Sequence, residues 1–329
     1  MNIIFFGTPN YVIPILDMLH KHSRRPGEKS PVVAIVTQPP RPTGRKKEIE
    51  YSAVDTWAHK KNLKLNNQDL KIKIIHKPID VLNVEADVGI LASYGQILSN
   101  EVIKHFPHGI VNIHPSLLPR YRGASPVQAA IASGNTETGV TFMKMDEKMD
   151  HGPIISSFRE EINDEDTLET LRDRLFERSA EVLKTLLPAY IAGKTKIREQ
   201  DHDKATYTTL IKKDHGFVDW KYLKLAMKGE TSNDTWEIPF IKDYTTNYSP
   251  ITIHRFIRAM HPWPGAWTRI KLTSESVNQV NQEKRLKILK AHVETSNNLS
   301  IKSSVLCLDS VQIEGKTPIL WKQFQKKSA

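Results

Sequence analysis

The run Asn112-Ile113-His114-Pro115-Ser116-Leu117-Leu118-Pro119, answered downstream by Asp150-His151-Gly152, holds an amide, an imidazole and a carboxylate that together could carry acyl transfer. An amide N–H can donate to a carbonyl oxygen as it becomes an oxyanion. An imidazole can give or take a proton, and a carboxylate can orient that imidazole and raise its pKa. None of the three is a nucleophile, so the attacking group must arrive with the substrate. An amine suits that role, because an α-amine of pKa roughly 7.7 to 8.0 is partly neutral near pH 7 and an ester on the same carbon lowers the value further. What remains for the protein is positioning and charge stabilisation, with one preorganised donor worth about 3 to 4 kcal/mol of barrier. Each residue also has a plainer reading: Asn112 as a turn amide, His114 as a satisfied structural histidine, Asp150 as a turn cap.

The elements around these residues favour the first reading. Gly109 to His114 has the β-branched run of a strand, so Asn112 and His114 share one face and Val111 and Ile113 the other. Pro115 and Pro119 end the strand and start a loop, which puts the polar pair at a carboxyl edge, where ligands bind in open α/β sheets. Upstream, strands at Asn2–Phe6, Pro31–Thr37 and Asp87–Ala92 alternate with helices at Tyr11–His20, Ser52–Lys61 and Ser99–Phe106. Downstream come a helix at Ser125–Ser133, strands at Val140–Met145 and Ile154–Phe158, and a long helix from Leu168 to Ile191. This βαβ rhythm predicts a doubly wound, mostly parallel sheet with helices on both faces. Residues 192–205 are polar and without period, which reads as a linker between a domain at 1–191 and a smaller one at 206–329. In that second part, short strands at Leu286–Leu289 and Ser304–Leu308 suggest a small β-barrel or sandwich, while Lys228–Pro250 and Thr273–Lys284 read as polar surface insertions.

With 329 residues, 39% hydrophobic, and no apolar run near the roughly 18 residues a span requires, two globular domains and no ordinary membrane helix are expected. The N-terminus enters a strand directly, without a signal-peptide pattern, so a cytoplasmic address is expected. Cys307, the sole cysteine, lies in an apolar run and can form no disulfide within the chain. No His/Glu/Asp set has ligand spacing along the sequence, which argues against a structural zinc site; no metal is expected. The net charge of +10 is uneven: residues 1–200 hold 27 Lys and Arg against 24 Asp and Glu, whereas residues 201–329 hold 20 against 13. That bias fits a polyanionic partner for the C-terminal part, or a merely soluble basic surface.

Two further motifs stand out. Gly7-Thr8-Pro9 lacks the later glycines of a dinucleotide fingerprint and is a strand-to-helix turn. Thr37 to Lys47 sets Arg41, Arg45, Lys46 and Lys47 among prolines, with Gly44 giving a bend; it could touch phosphates or be a solvated basic loop.

Taken together these segments resemble the methionyl-tRNA formyltransferase family from Asn2 to about Trp267. The resemblance rests on Phe6-Gly7-Thr8-Pro9, Thr37-Gln38-Pro39 with Arg41-Pro42 and Gly44-Arg45, Ser93-Tyr94-Gly95, Asn112 to Pro126, Thr138 to Thr141, Met145-Asp146 with Asp150 and Gly152, Asp219-Trp220, and Pro262 to Trp267. It implies a formyltransferase-like α/β domain followed by an OB-like β-barrel, with transfer of a formyl group from 10-formyltetrahydrofolate to methionyl-initiator tRNA. Asn112, His114 and Asp150 would then be catalytic: Asn112 and His114 on the oxyanion, Asp150 orienting His114. Ser116, Leu117, Leu118 and Pro119 would lie on the folate side, and Arg41, Arg45, Lys46 and Lys47 would meet tRNA. A monomer is expected. Two other readings stay open at this point: the same chemistry on an amino sugar or glycinamide ribotide, and an inactive RNA-binding relative. The chain departs from the family at Ser23–Ser30, where a shorter turn is usual, at Lys228–Pro250, and in the divergent strands of its last 60 or so residues.

Overall fold

The structure is a computed structural model and describes residues 1–21, 30–44, 46–63, 65, 67–272, 282–296 and 303–328. Arg45, residues 23–29 of the extended turn and residues 273–281 of the second polar insertion lie outside the described residues. Two compact units emerge: Met1–Arg122 with Gly139–Glu160 and Arg172–Ala205, and Gly123–Thr138 with Glu161–Leu171 and Thr206–Ala329.

In chain order the first strands are β1 (Ile3–Gly7), β2 (Val32–Val36), β3 (Arg41–Thr43), β4 (Glu48–Glu50), β5 (Lys73–Ile75), β6 (Val88–Ala92), β7 (Ile110–His114), β8 (Arg122–Gly123), β9 (Glu137–Lys144) and β10 (Ile154–Glu161). The helices among and after them are α1 (Ile13–Lys21), α2 (Ala53–Asn62), α3 (Asn100–Lys104), α4 (Pro126–Ala132) and α5 (Leu168–Ile191). Seven strands form one sheet in the order β10-β9-β7-β6-β1-β2-β5. From β5 to β7 the neighbours are parallel, and β9 runs antiparallel to β7. The chain winds outward through β1, β2 and β5, then returns to β6 and β7 on the other side of β1. The order therefore reverses beside β1, which opens a crevice at the carboxyl ends of β1 and β6.

Every residue of β1, β2, β6 and β7 is buried, as parallel strands covered on both faces require. In β7 the only polar side chains in that buried row are Asn112 and His114. Beneath the crevice, Phe6 meets Tyr94 and Phe106 edge to face, at 5.9 and 6.1 Å between ring centres. Tyr94 anchors the loop after β6: its hydroxyl donates to Gln96 Oε1 at 3.1 Å, and burial pushes its pKa up to about 12. Ser52 and Ser99 cap α2 and α3, each accepting a backbone N–H three residues on.

The second unit continues with β11 (Tyr207–Thr208), α6 (Trp220–Met227), β12 (Ser232–Glu237), β13 (Thr245–Tyr248), α7 (Pro250–Met260), β14 (Ala266–Leu272), β15 (Gln282–Ser296), β16 (Ser303–Ile313), β17 (Ile319–Leu320) and α8 (Trp321–Ser328). Its main sheet is antiparallel, in the order β14-β15-β16-β17. Ile253, Phe256, Ile257 and Met260 of α7 are buried, and α7 packs against β15, β16 and α4. A bulge between Ile288 and Ala291 shifts the inward position by one residue, so Leu286, Ile288 and Ala291 all point to the core. Arg258, half-buried on α7, donates to the carbonyls of Asp166 at 2.6 Å and Asn163 at 3.3 Å, which ties the start of α5 to this unit.

Three elements differ from the sequence expectation. The basic proline segment is a short exposed ribbon, β3 paired with β4, rather than a loop. The polar segment 228–250 forms the β12–β13 hairpin and is pinned by aromatics: Tyr248 stacks on Tyr222 at 3.5 Å and on Trp236 at 4.6 Å, and Trp236 meets Phe256. Its alternating polarity hid one buried edge, Trp236 with Ile238 and Phe240. The third is β15, which extends well past Leu286–Leu289 in both directions. No helix among the described residues is long and apolar enough to cross a membrane.

Candidate active site

At the carboxyl end of β7 the three expected groups converge. Asn112 Nδ2 donates to Asp150 Oδ1 at 3.2 Å, and the same oxygen lies 3.5 Å from His114 Nδ1. The His114 side chain is 5% exposed and that of Asp150 is 13% exposed, so the group is shielded but reachable. On its far side, His114 Nε2 lies 3.0 Å from the Tyr121 carbonyl oxygen. A carbonyl only accepts, so Nε2 carries the hydrogen and, in the neutral ring, Nδ1 presents its lone pair toward Asp150. The ring is therefore oriented by the Tyr121 backbone, while Asp150 faces the nitrogen that can take up a proton.

Asp150 adopts φ +47° and Tyr121 φ +59°, a left-handed backbone that costs non-glycine residues about 1 to 3 kcal/mol each and persists only where the surroundings impose it. Those surroundings are visible. Gln200 Nε2 donates to the carbonyls of Asp150 at 3.0 Å and Gly152 at 2.7 Å. Buried Arg122 holds Gln200 Oε1 through Nη2 at 2.7 Å and Nε at 3.3 Å, and its Nη2 also donates to His202 Nδ1 at 2.8 Å. His202 stacks on His151 at 4.0 Å, and His151 pairs with Asp146 at 2.6 Å. Sequence reasoning missed Gln200 and His202, because a polar stretch without period gives no sign that one of its amides is buried.

Thr141 of β9 stands opposite His114 and secures the loop that follows it. Its hydroxyl donates to the Ser116 carbonyl at 2.7 Å and accepts from the Leu118 amide at 3.1 Å. Ser116 and Leu118 are buried, with Leu118 packed on Met143 and Ile154, whereas Leu117 and Pro119 are half-buried. Of the four loop residues, Leu117 and Pro119 are thus the ones with accessible surface to offer a ligand. Thr141→Val keeps the shape but strands a buried carbonyl and a buried N–H, for a stability loss of about 2 to 4 kcal/mol. Thermal unfolding of the variant should show that loss.

A cleft of about 510 Å3 opens beside the Asp150 loop, lined by Ile103, Phe106, Lys144, Met145, Asp146 and His151 among others. Its volume and mixed apolar and polar walls fall in the range of small-molecule sites.

The basic residues fall in two groups. Arg41, Lys46 and Lys47 are exposed on and beside the β3–β4 ribbon, with Arg41 Nη2 donating to Gln38 Oε1 at 2.6 Å and Gly44 making the bend at φ +67°. In the second unit, strand pairing sets Arg269 opposite Arg285 and Trp267 opposite Lys287; Lys271 shares their face, and the Arg285 guanidinium lies 3.8 Å from the centre of the Trp267 ring. Sequence reasoning missed this stripe; its only signal is the alternation Arg269-x-Lys271 and Arg285-x-Lys287, and only strand pairing shows that the two runs share a face.

Residues 1–187 match the formyl transferase family and residues 247–329 its C-terminal domain. The methionyl-tRNA formyltransferase of Chloroflexus aggregans is 36% identical over 271 residues, 82% of this chain and 76% of that one. That of Listeria monocytogenes is 35% identical over 269 residues, 82% and 75% of the two chains. Among solved structures, the sugar 3N-formyl transferase WlaRD, crystallised with dTDP and 5-N-formyl-THF, superposes with a TM-score of 0.61 at 18% identity, over 96% of this chain and 99% of that one. The methionyl-tRNA formyltransferase from Clostridium thermocellum gives 0.51 at 17% identity, over 95% and 98%. The chain belongs to the formyl transferase family and, through its relatives above 30% identity, to the methionyl-tRNA formyltransferase branch of it.

Proposed function

We propose that this protein transfers the formyl group of 10-formyltetrahydrofolate to the α-amine of methionyl-initiator tRNA, with Asn112, His114 and Asp150 as its catalytic groups. The observation that carries the reading is Asp150 Oδ1 within 3.2 Å of Asn112 Nδ2 and 3.5 Å of His114 Nδ1, at the carboxyl edge of a parallel sheet. The neutral methionyl amine attacks the formyl carbon, and the carbonyl oxygen gains negative charge. Asn112 has an N–H beyond the one given to Asp150 and donates it to that oxygen. The amine sheds a proton and the folate nitrogen gains one as the C–N bond to the donor breaks; His114 Nδ1 carries that proton, and the Asp150 carboxylate stabilises the imidazolium while it does so.

The pterin would lie against Leu117 and Pro119, with Ser116 and Leu118 holding the loop from behind. No metal enters this scheme. The unit that holds the trio would carry the chemistry, and residues 206–329 the tRNA backbone, through the stripe of Arg269, Lys271, Arg285 and Lys287. Arg41, Lys46 and Lys47, with Arg45, would reach the acceptor arm. The protein would act as a cytoplasmic monomer.

A cation bound to a phosphate displaces counterions from the nucleic acid, so removing such cations weakens binding and makes it less sensitive to salt. Arg41→Gln/Lys46→Gln/Lys47→Gln should therefore raise KM for tRNA and flatten its salt dependence by up to about 3 units of log–log slope, at unchanged kcat. Tritium-labelled formyl donor, offered with charged initiator tRNA, glycinamide ribotide or a nucleotide-linked amino sugar in parallel, tests the acceptor. Label should appear in the tRNA alone; label in either small acceptor, or in none, refutes the assignment.

A further inference from the structure

Away from the active site, the outward face of β15 and β16 gathers a second set of chemical groups. His292 and Cys307 are directly paired across the two antiparallel strands. Glu294, two residues beyond His292, and Asp309, two beyond Cys307, share their face, because side chains two apart on a strand point the same way. The inward face of the same strands holds Ala291, Leu306 and Leu308, all buried.

The geometry of the set is specific. Asp309 Oδ1 lies 2.8 Å from His292 Nδ1. In the neutral ring the hydrogen sits on Nδ1, beside the nearer carboxylate, and Nε2 presents its lone pair. Glu294 Oε1 lies 3.5 Å from that Nε2. One donor atom from each of His292, Glu294 and Cys307 lies within 4.8 Å of the other two. Around a tetrahedral zinc ion, bond lengths of about 2.0 to 2.3 Å put ligand atoms roughly 3.3 to 3.6 Å apart. The His292–Glu294 pair already has that separation, and the sulfur lies within 4.8 Å of both ligand atoms.

We propose that His292 Nε2, Glu294 Oε1 and Cys307 Sγ bind a divalent cation of the zinc class, with Asp309 orienting His292. A thiolate, an imidazole and a carboxylate together match zinc rather than magnesium or calcium, which take oxygen ligands. A carboxylate behind the ligating imidazole is the usual second partner in such sites, because it fixes the tautomer and strengthens the donor. On binding, the Sγ–H bond breaks, a sulfur–metal bond forms, and the proton leaves to the buffer; nothing is oxidised or reduced. The ion would clip β15 to β16. Spacing along the chain conceals the set, because two ligands come from one strand and the third from its neighbour 13 residues on from Glu294.

Cys307 is the chain's sole cysteine, so its reactivity is a direct readout. The chelator-treated full-length protein is titrated with zinc chloride, and modification of Cys307 by a chromogenic thiol reagent is timed at each step. One equivalent of zinc should slow modification at least tenfold, magnesium should not, and cobalt(II) should give a thiolate-to-metal charge-transfer band. Asp309→Asn should weaken zinc binding about 10- to 100-fold. His292→Gln should abolish the protection, and Cys307→Ser should abolish the cobalt band; circular dichroism checks that each variant is folded. Thiol reactivity indifferent to saturating zinc, equal protection by magnesium, or zinc protection that survives in folded His292→Gln would overturn the proposal.

Discussion

Asp150→Asn is expected to lower kcat for formyl transfer by about 1,000- to 10,000-fold, the scale seen when a carboxylate beside a catalytic histidine is made neutral in other acyl-transfer sites. The reason lies in the fixed tautomer of His114. With Nε2–H committed to the Tyr121 carbonyl, only Nδ1 can handle a proton, and Asp150 Oδ1 stands 3.5 Å from it. An asparagine there offers no charge to stabilise the imidazolium, and its NH2 can instead donate to Nδ1 and occupy the lone pair. The substitution also alters the acceptor that holds Asn112 at 3.2 Å. Steady-state kinetics with charged initiator tRNA should show the whole loss in kcat, with KM for tRNA little changed, because Asp150 does not lie among the exposed cations that would meet the nucleic acid.

Gly152→Ala is expected to cost about 100-fold in kcat without touching any reacting group. A Cβ at this position would lie 2.0 Å from the Lys144 carbonyl oxygen and 3.2 Å from its carbon. Backbone atoms cannot yield as a flexible side chain does, so the segment must move by an ångström or more, and Asp150 is two residues away. Misplacement of a catalytic group by about 1 Å is enough for a loss of that size. The same shift would pull the Gly152 carbonyl from Gln200, leaving a buried amide donor short of one partner. The expected signature is a large fall in kcat with a cooperative, modestly lowered thermal transition. A variant of normal activity would show that the loop bearing Asp150 does not need its observed position.

Much of this site was readable in the chain before any coordinates, for definite reasons. Asn112 and His114 lie two apart in a strand that must be buried, so their shared face follows from the backbone period alone. The prolines at 115 and 119 marked where that strand stops. What was not readable came from tertiary pairing. The acceptor that sets the tautomer of His114 is a backbone carbonyl, which no side-chain pattern announces. Gln200 sits in a stretch of ordinary polarity and is buried only because Arg122 and the carbonyls of Asp150 and Gly152 meet it there. Thr141 is one β-branched residue among several in its strand until the register places it against the loop after His114. The hairpin at 232–248 failed for a related reason: its exposed side chains dominate the composition, whereas Trp236 and Tyr248 supply its anchorage. Cys307 looked solitary because its neighbours belong to another strand.

The most direct test of the account separates chemistry from binding at Asn112 and His114. Wild-type protein, Asn112→Ala and His114→Ala are each saturated with 10-formyltetrahydrofolate and mixed with limiting charged initiator tRNA, and formylated product is followed through a single turnover while tRNA affinity is measured by filter binding. The account predicts single-turnover rates lower by about 100- to 1,000-fold in both variants, the loss expected for one preorganised donor at a developing oxyanion, with tRNA affinity within about twofold of wild type. Wild-type rates in either variant, or a loss of rate matched by an equal loss of tRNA affinity, would contradict it.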